Sequence, residues 1–154
     1  MANAGLNKAR QAQTLAYSSI ALTALAEAQL AAGHLGDGLG SIKQALAFAD
    51  AVGERVWRPE SLRIKGRLLG ADGELDAAEE SYRAAVDEAA DLSLPALELR
   101  ATTDLATALW ERDGSAEAHA MLLGVLSRFT EGFETADYLT AQSLLSASKL
   151  PAAR

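Results

Sequence analysis

A repetition of small side chains every 40 residues constrains this chain more than any other feature. Ala26, Gly66 and Ala106 are separated by 66 − 26 = 40 and 106 − 66 = 40, and the same step joins Gly38, Ala78 and Ala118. It recurs in Ile42, Tyr82 and Leu122, and again in Ala45, Ala85 and Val125. In each unit a segment of helical periodicity runs into a turn (AAGHLGD, GADGELD, ERDGSAE) and then into a second helical segment. Each unit therefore reads as a helical hairpin, and the set of them as a stacked array.

The columns have a physical meaning within that hairpin. A small residue on the first helix faces a small residue on the second, so the two backbones cross at close range; one turn further, Ile42, Tyr82 or Leu122 fills the space between units. Gly33, Gly73 and Gly114 fall where first helices stop, a position that favours left-handed backbone. Pro59 and Pro95 fall at helix starts, where a missing N–H does no harm. The apolar residues are mostly Ala and Leu, with few Val or Ile, which favours closely packed helices over sheets. The expected fold is all-α within one domain over residues 1–150: hairpins at 8–53, 56–92 and 95–130, a capping helix at 135–149, and a tail at 151–154.

Small-small-large spacing on paired helices resembles the tetratricopeptide repeat (TPR). The match is clearest in LRIKGRLLGADGELDAAEESYRAAVDEA, where Gly66, Gly73, Ala78, Tyr82 and Ala85 occupy the signature places. The resemblance implies a right-handed α-solenoid of three hairpins plus a capping helix, although the 40-residue period exceeds the family's usual length, with the surplus in AVGERVWRPE and ADLSLPAL. The succession RPESLRIKGRLL, AEESYRAAVDEA, LELRATTDLATALW and RFTEGFETADYLTAQSLL is similar to the C-terminal repeat region of large bacterial signalling ATPases, joined there to adenylate or guanylate cyclase domains or to transcriptional regulators. What this implies is a cytoplasmic sensor or docking module that binds a protein or peptide, without enzymatic activity or cofactor. Self-association of the cut array is the alternative; small-molecule binding or nucleotide hydrolysis is a more distant one.

Charge narrows the partners. A net charge of −7 opposes a phosphate backbone, so nucleic acid is not an expected direct partner. The chain has no cysteine, hence no disulfide framework or thiolate site, which is compatible with the cytoplasm. Lys8 and Arg10 ahead of LAYSSIALTALA have the outline of a secretory signal, but Gln11, Gln13, Thr14, Ser18 and Ser19 dilute the apolar run and the segment fits the repeat register. No uninterrupted apolar run suggests a membrane span.

Motifs for chemistry fail on spacing. GDGLGSIK lacks the preceding strand and the lysine directly after the last glycine that a phosphate loop requires, and reads as a turn entering a helix. DGELDAAEE has its glycine in the wrong place for a calcium loop. His34 and His119 stand apart from any ligand or acid–base pattern. The better candidate is a groove along the first helices: Glu60, Arg63 and Arg67 in the second unit, with Arg100, Thr103, Thr107, Trp110 and Glu111 in the third. Its arginines suit either bidentate capture of an acidic peptide or pairing with Glu60, Glu98 and Glu111 on neighbouring helices. Trp110 suits either an exposed anchor or a core filler, whereas Trp57 is expected to pack the connection between units. In RFTEGFETADYLTAQSLL, Phe129 and Phe133 are expected to plug the last junction, Gly132 to break a helix and Thr135 to cap the next. Tyr138, Ala141, Leu144 and Leu145 would then cover the open end, with Gln142 and Ser146 outward.

Overall fold

The computed structural model describes residues 2–113 and 116–147, and these are all helix and connection. Seven helices follow one another: α1 (Ala2–Ala31), α2 (Leu35–Val52), α3 (Arg58–Ala71), α4 (Leu75–Asp91), α5 (Pro95–Asp113), α6 (Ala116–Leu126) and α7 (Ala136–Ala147). Among the described residues no helix is long and apolar enough to cross a membrane. Gly114, the tail and the expected end of the last helix lie outside the described residues. The helix starts obey local chemistry. Pro95 opens α5 and Pro59 lies in the first turn of α3, and each helix from α2 to α7 has an acid in its first turn to meet the positive end of its dipole. The GDGLGSIK stretch lies wholly inside α2, so it forms helix throughout, without the turn expected at its start.

Four of the connections share one backbone geometry. Gly33, Gly53, Gly73 and Ser93 follow at intervals of 20 (53 − 33, 73 − 53, 93 − 73), and all four have positive φ. In each, this residue donates to the carbonyl three back and its successor donates to the carbonyl five back from itself, as in Gly33→Leu30 with His34→Gln29, and Ser93→Ala90 with Leu94→Ala89. This is the Schellman arrangement, which satisfies carbonyls that a helix end would otherwise leave bare. Gly33 and Gly73 are the helix stops expected from sequence; Gly53 and Ser93 turn one hairpin into the next.

All four columns of the repeat are buried, from Ala26, Gly38, Ile42 and Ala45 through to Ala106, Ala118, Leu122 and Val125. Each helix lies against the next in sequence, and α1, α3, α5 and α7 also approach one another in succession, so the odd-numbered helices form one continuous row. Ile42 joins Ile64 and Leu68 across the first two hairpins, whereas Tyr82 joins Leu105, Ala106 and Leu109 across the next two. In the middle hairpin the close approach leaves no room for a methyl group. A Cβ on Gly66 would lie 2.5 Å from a ring carbon of Tyr82. The equivalent pairs are Ala26 with Ile42 and Ala106 with Leu122, so the residue that meets the largest side chain of its column is the one reduced to glycine.

At the C-terminal end, α6 stops at Leu126, so Gly132 does not break it; with φ of 76° it instead shapes the connection to α7. Thr135 directly precedes α7 and its hydroxyl accepts the Tyr138 N–H at 3.4 Å. Ala141 is fully buried, with Tyr138, Leu144 and Leu145 half-buried around it, while Gln142 and Ser146 are exposed. Phe129 packs on the core and meets Tyr138 edge-on at 5.7 Å; Phe133 meets the same ring at 5.2 Å but is 47% exposed, so it covers the junction rather than plugging it.

Gly66→Ala should destabilise the protein even though alanine is favoured over glycine in a helix by about 1 kcal/mol. The wedged Tyr82 ring has little room to yield, and overpacking of this kind costs about 1–3 kcal/mol. Adding Tyr82→Leu, which recreates the small–large pair of the third hairpin, should restore most of the lost midpoint in urea unfolding; a double variant no better than Gly66→Ala alone would refute the pairing.

Candidate functional site

The row of odd-numbered helices carries a belt of charge centred on Arg63. This residue lies in the middle of α3 and is only 5% exposed, an environment a guanidinium tolerates when its donors are matched. Its Nε and Nη2 donate to the two oxygens of Glu60 at 2.9 and 2.8 Å, a bidentate pair, and Nη1 donates to Asp104 on α5 at 2.6 Å. Glu27 of α1 stands 3.6 Å away. Burial works to lower the Arg63 pKa, but the hydrogen bond and charge of Glu60, then those of Asp104, outweigh it and hold the group above its ordinary value.

The neighbours extend the belt. Arg67 donates to Glu27 at 2.9 Å, and Arg100 lies 2.9 Å from Glu60 and 3.8 Å from Asp137 of α7. Glu27 with Arg67, and Glu60 with Arg100, are each 40 residues apart: the sequence period is also the offset between side chains that touch on successive odd-numbered helices. Two further bridges lie within hairpins. Arg58 pairs with Glu88, and Glu98 with Arg128; since 98 − 58 and 128 − 88 are both 40, these are one bridge with its charges exchanged.

Three depressions run along this row and share walls. A central one of about 150 Å³ is bounded by Arg63, Arg67, Arg100, Thr103, Asp104 and Asp137 among others. It adjoins one of about 190 Å³ at Glu60, Arg100, Trp57 and Ile20, and a larger one of about 560 Å³ at Arg67, Asp104, Thr107 and Glu111. Glu60, Arg63, Arg67, Arg100, Thr103, Thr107 and Glu111 each line at least one of these depressions. Trp110 lines none of the three and is half-buried against the core, the filler of the two roles open to it. Thr103 and Thr107 turn their hydroxyls back to the carbonyls of Leu99 and Thr103, at 2.7 and 2.9 Å.

Of the two readings open to the arginines, internal pairing is the one present: Arg63 meets Glu60 and Asp104, Arg67 meets Glu27, and Arg100 meets Glu60 and Asp137, whereas Glu98 pairs with Arg128. Trp57 joins the units through its backbone, its N–H donating to Glu54 and its carbonyl accepting from Glu60 and Ser61, while the residue as a whole is 46% exposed. Sequence reasoning missed Glu27 and Asp104. Glu27 was visible as the residue 40 before Arg67. Asp104 follows Thr103, the residue 40 after Arg63, and no column of small residues marks it. His34 is exposed in a turn, His119 is half-buried in α6, and among the described residues no cluster of three or more His, Asp or Glu side chains is placed to hold a metal ion. Comparisons of the chain with protein-family models, curated proteins and solved structures return no match.

Arg63→Met should destabilise the fold by about 2–4 kcal/mol in chemical unfolding, because it strands Asp104 and half of the Glu60 pairing beside a buried apolar chain. Arg67→Ala, which breaks a half-exposed pair, should cost under about 1 kcal/mol; equal losses would refute the central place of Arg63.

Tyr82, at the wall of the large depression, gives a pH signature. Burial first, and the Asp104 charge second, push its hydroxyl up to about 12. A tyrosine in the unfolded chain ionises at about 10, so stability is intact below that pH and falls as pH rises toward 12, where only the unfolded state has lost the proton. Tyr82→Phe should flatten this alkaline decline in unfolding free energy, and an unchanged slope would contradict the assignment.

Proposed function

We propose that the chain is a TPR-like, right-handed α-solenoid of three hairpins with a capping helix, acting as a non-enzymatic protein-interaction scaffold. The observation that carries this reading is the groove of adjoining depressions along α1, α3 and α5, walled by side chains that pair at the repeat interval of 40. A stacked array needs side chains to recur from unit to unit, and a row of helices with a continuous channel suits an extended or helical segment of a partner. The block RFTEGFETADYLTAQSLL and its likeness to the repeat regions of bacterial signalling ATPases support a sensor or docking role in such a cytoplasmic system. Placement of α7 against α5 and α6 fits a helix that ends the array.

Substitutions that fill the groove without breaking its ion pairs provide the test. Immobilised protein should capture a discrete partner from extracts of its own cells. Thr103→Trp in the central depression and Ala71→Trp at the rim of the large one should abolish that capture while helical circular dichroism is kept. Capture that survives both substitutions would overturn the groove as the binding surface. A monomer–oligomer equilibrium in sedimentation, with no heterologous partner, would favour self-association instead.

A further inference from the structure

The large depression differs in charge from the belt beside it, and this deepens the interaction-module reading, on which it rests. Its floor is apolar, built from Leu30, Gly70, Ala78 and Ala108, with Ala71 and Leu75 exposed at the rim, Leu75 by 61%. At about 560 Å³ it lies within the range of about 300–1,000 Å³ typical of ligand clefts.

The charges around it are already matched, with one exception. Arg67 is bonded to Glu27, Arg112 to Glu79, and Asp104 to Arg63. Glu111 lines the cleft and is exposed, and its carboxylate has no hydrogen bond or ion pair among the described residues. The backbone adds to this negative character. Leu30 and Ala31 end α1, and Gly70 and Ala71 end α3, so two helix C-termini border the cleft, and neither helix has a basic residue in its last turn. Their last carbonyls accept the Schellman hydrogen bonds described above, and the partial negative charge that remains at a helix C-terminus favours cations weakly.

We propose that this cleft docks a partner segment in which an apolar side chain adjoins a lysine or arginine. The apolar group occupies the floor beside Leu75 and Ala108, and the cation meets Glu111 near the ends of α1 and α3. The sign is opposite to that of the acidic peptide suggested by the arginines of the sequence, because those arginines are consumed internally while Glu111 is not.

Fluorescence anisotropy with two labelled peptides, both capped at their ends, tests the assignment. In one peptide leucine alternates with lysine, in the other leucine alternates with glutamate. The lysine peptide should bind at least about tenfold more tightly than the glutamate peptide, and Glu111→Lys should weaken it by about tenfold. Ala71→Trp should abolish binding. Glu131→Lys makes the same charge change in the connection between α6 and α7, outside the cleft, and should alter affinity by less than about twofold, which separates a local site from general attraction to an acidic protein. Equal binding of both peptides, or equal effects of Glu111→Lys and Glu131→Lys, would overturn the proposal. The two readings fail separately. If Ala71→Trp abolishes partner capture but the peptides bind alike, the interaction module stands and the cationic assignment falls; if the lysine peptide behaves as described but groove substitutions leave partner capture intact, the module reading falls.

Discussion

Close crossing of paired helices at small side chains is the constraint on which everything else here depends. Gly66 lies against the Tyr82 ring with no room for a methyl group, and a Cβ on Gly38 would lie 2.5 Å from Leu68 of the next hairpin and 3.4 Å from the Ala26 carbonyl. Those distances set how near α1 comes to α2, α3 to α4, and each hairpin to the following one. With the spacing set, Arg63 can reach Glu60 and Asp104 together, and Arg67 can reach Glu27. A wider spacing would leave the buried guanidinium its Glu60 pair but take away Asp104, stranding one donor in an apolar surround. Packing of the smallest residues thus determines where the charges of the groove can lie.

The parts of the structure legible in the sequence are those governed by volume and backbone conformation. Ala26, Gly66 and Ala106 recur because the crossing recurs, and Gly33 and Gly73 stand where only a left-handed residue ends a helix cleanly. The turns between hairpins were harder to see. Gly53 carries the usual signal, but the same conformation at Ser93 is held by a residue that rarely adopts it, and nothing in its chemistry announces the turn. The groove was legible as a set of positions and not as an electrostatic state. Whether Arg63, Arg67 and Arg100 are open or occupied depends on partners up to 41 residues away, and on a burial that spacing alone does not reveal. Trp57 shows the converse: a large aromatic beside proline suggests packing, yet the backbone does the capping and the residue stays half exposed.

The matched charges also separate two tasks that a groove of this kind combines. Glu60 bonds to Arg63 on its own helix and lies against Arg100 on the next, so it sits at the node of the belt and is 12% exposed in its side chain. Such a network rigidifies the row of odd-numbered helices and leaves little free charge for a ligand. Glu111 stands one wall away, outside the network. The matched charges thus tie the helices together on one stretch of this surface, while Glu111 stands on a neighbouring stretch outside those pairs.

The exchanged bridge, Arg58 with Glu88 in one hairpin and Glu98 with Arg128 in the next, has a consequence for how such a chain could change over time. Each of these two hairpins keeps its own bridge whichever way the signs run, so either remains internally consistent when it is moved or copied. The pairs Glu27–Arg67 and Glu60–Arg100 behave differently, since each spans two units and is satisfied only in the present order. Duplicating a hairpin would preserve its internal bond but set like charges or empty positions against its new neighbours. The signs of these two pairs tie each hairpin to its present neighbour, and adding a hairpin would require rewriting the borders before the interiors.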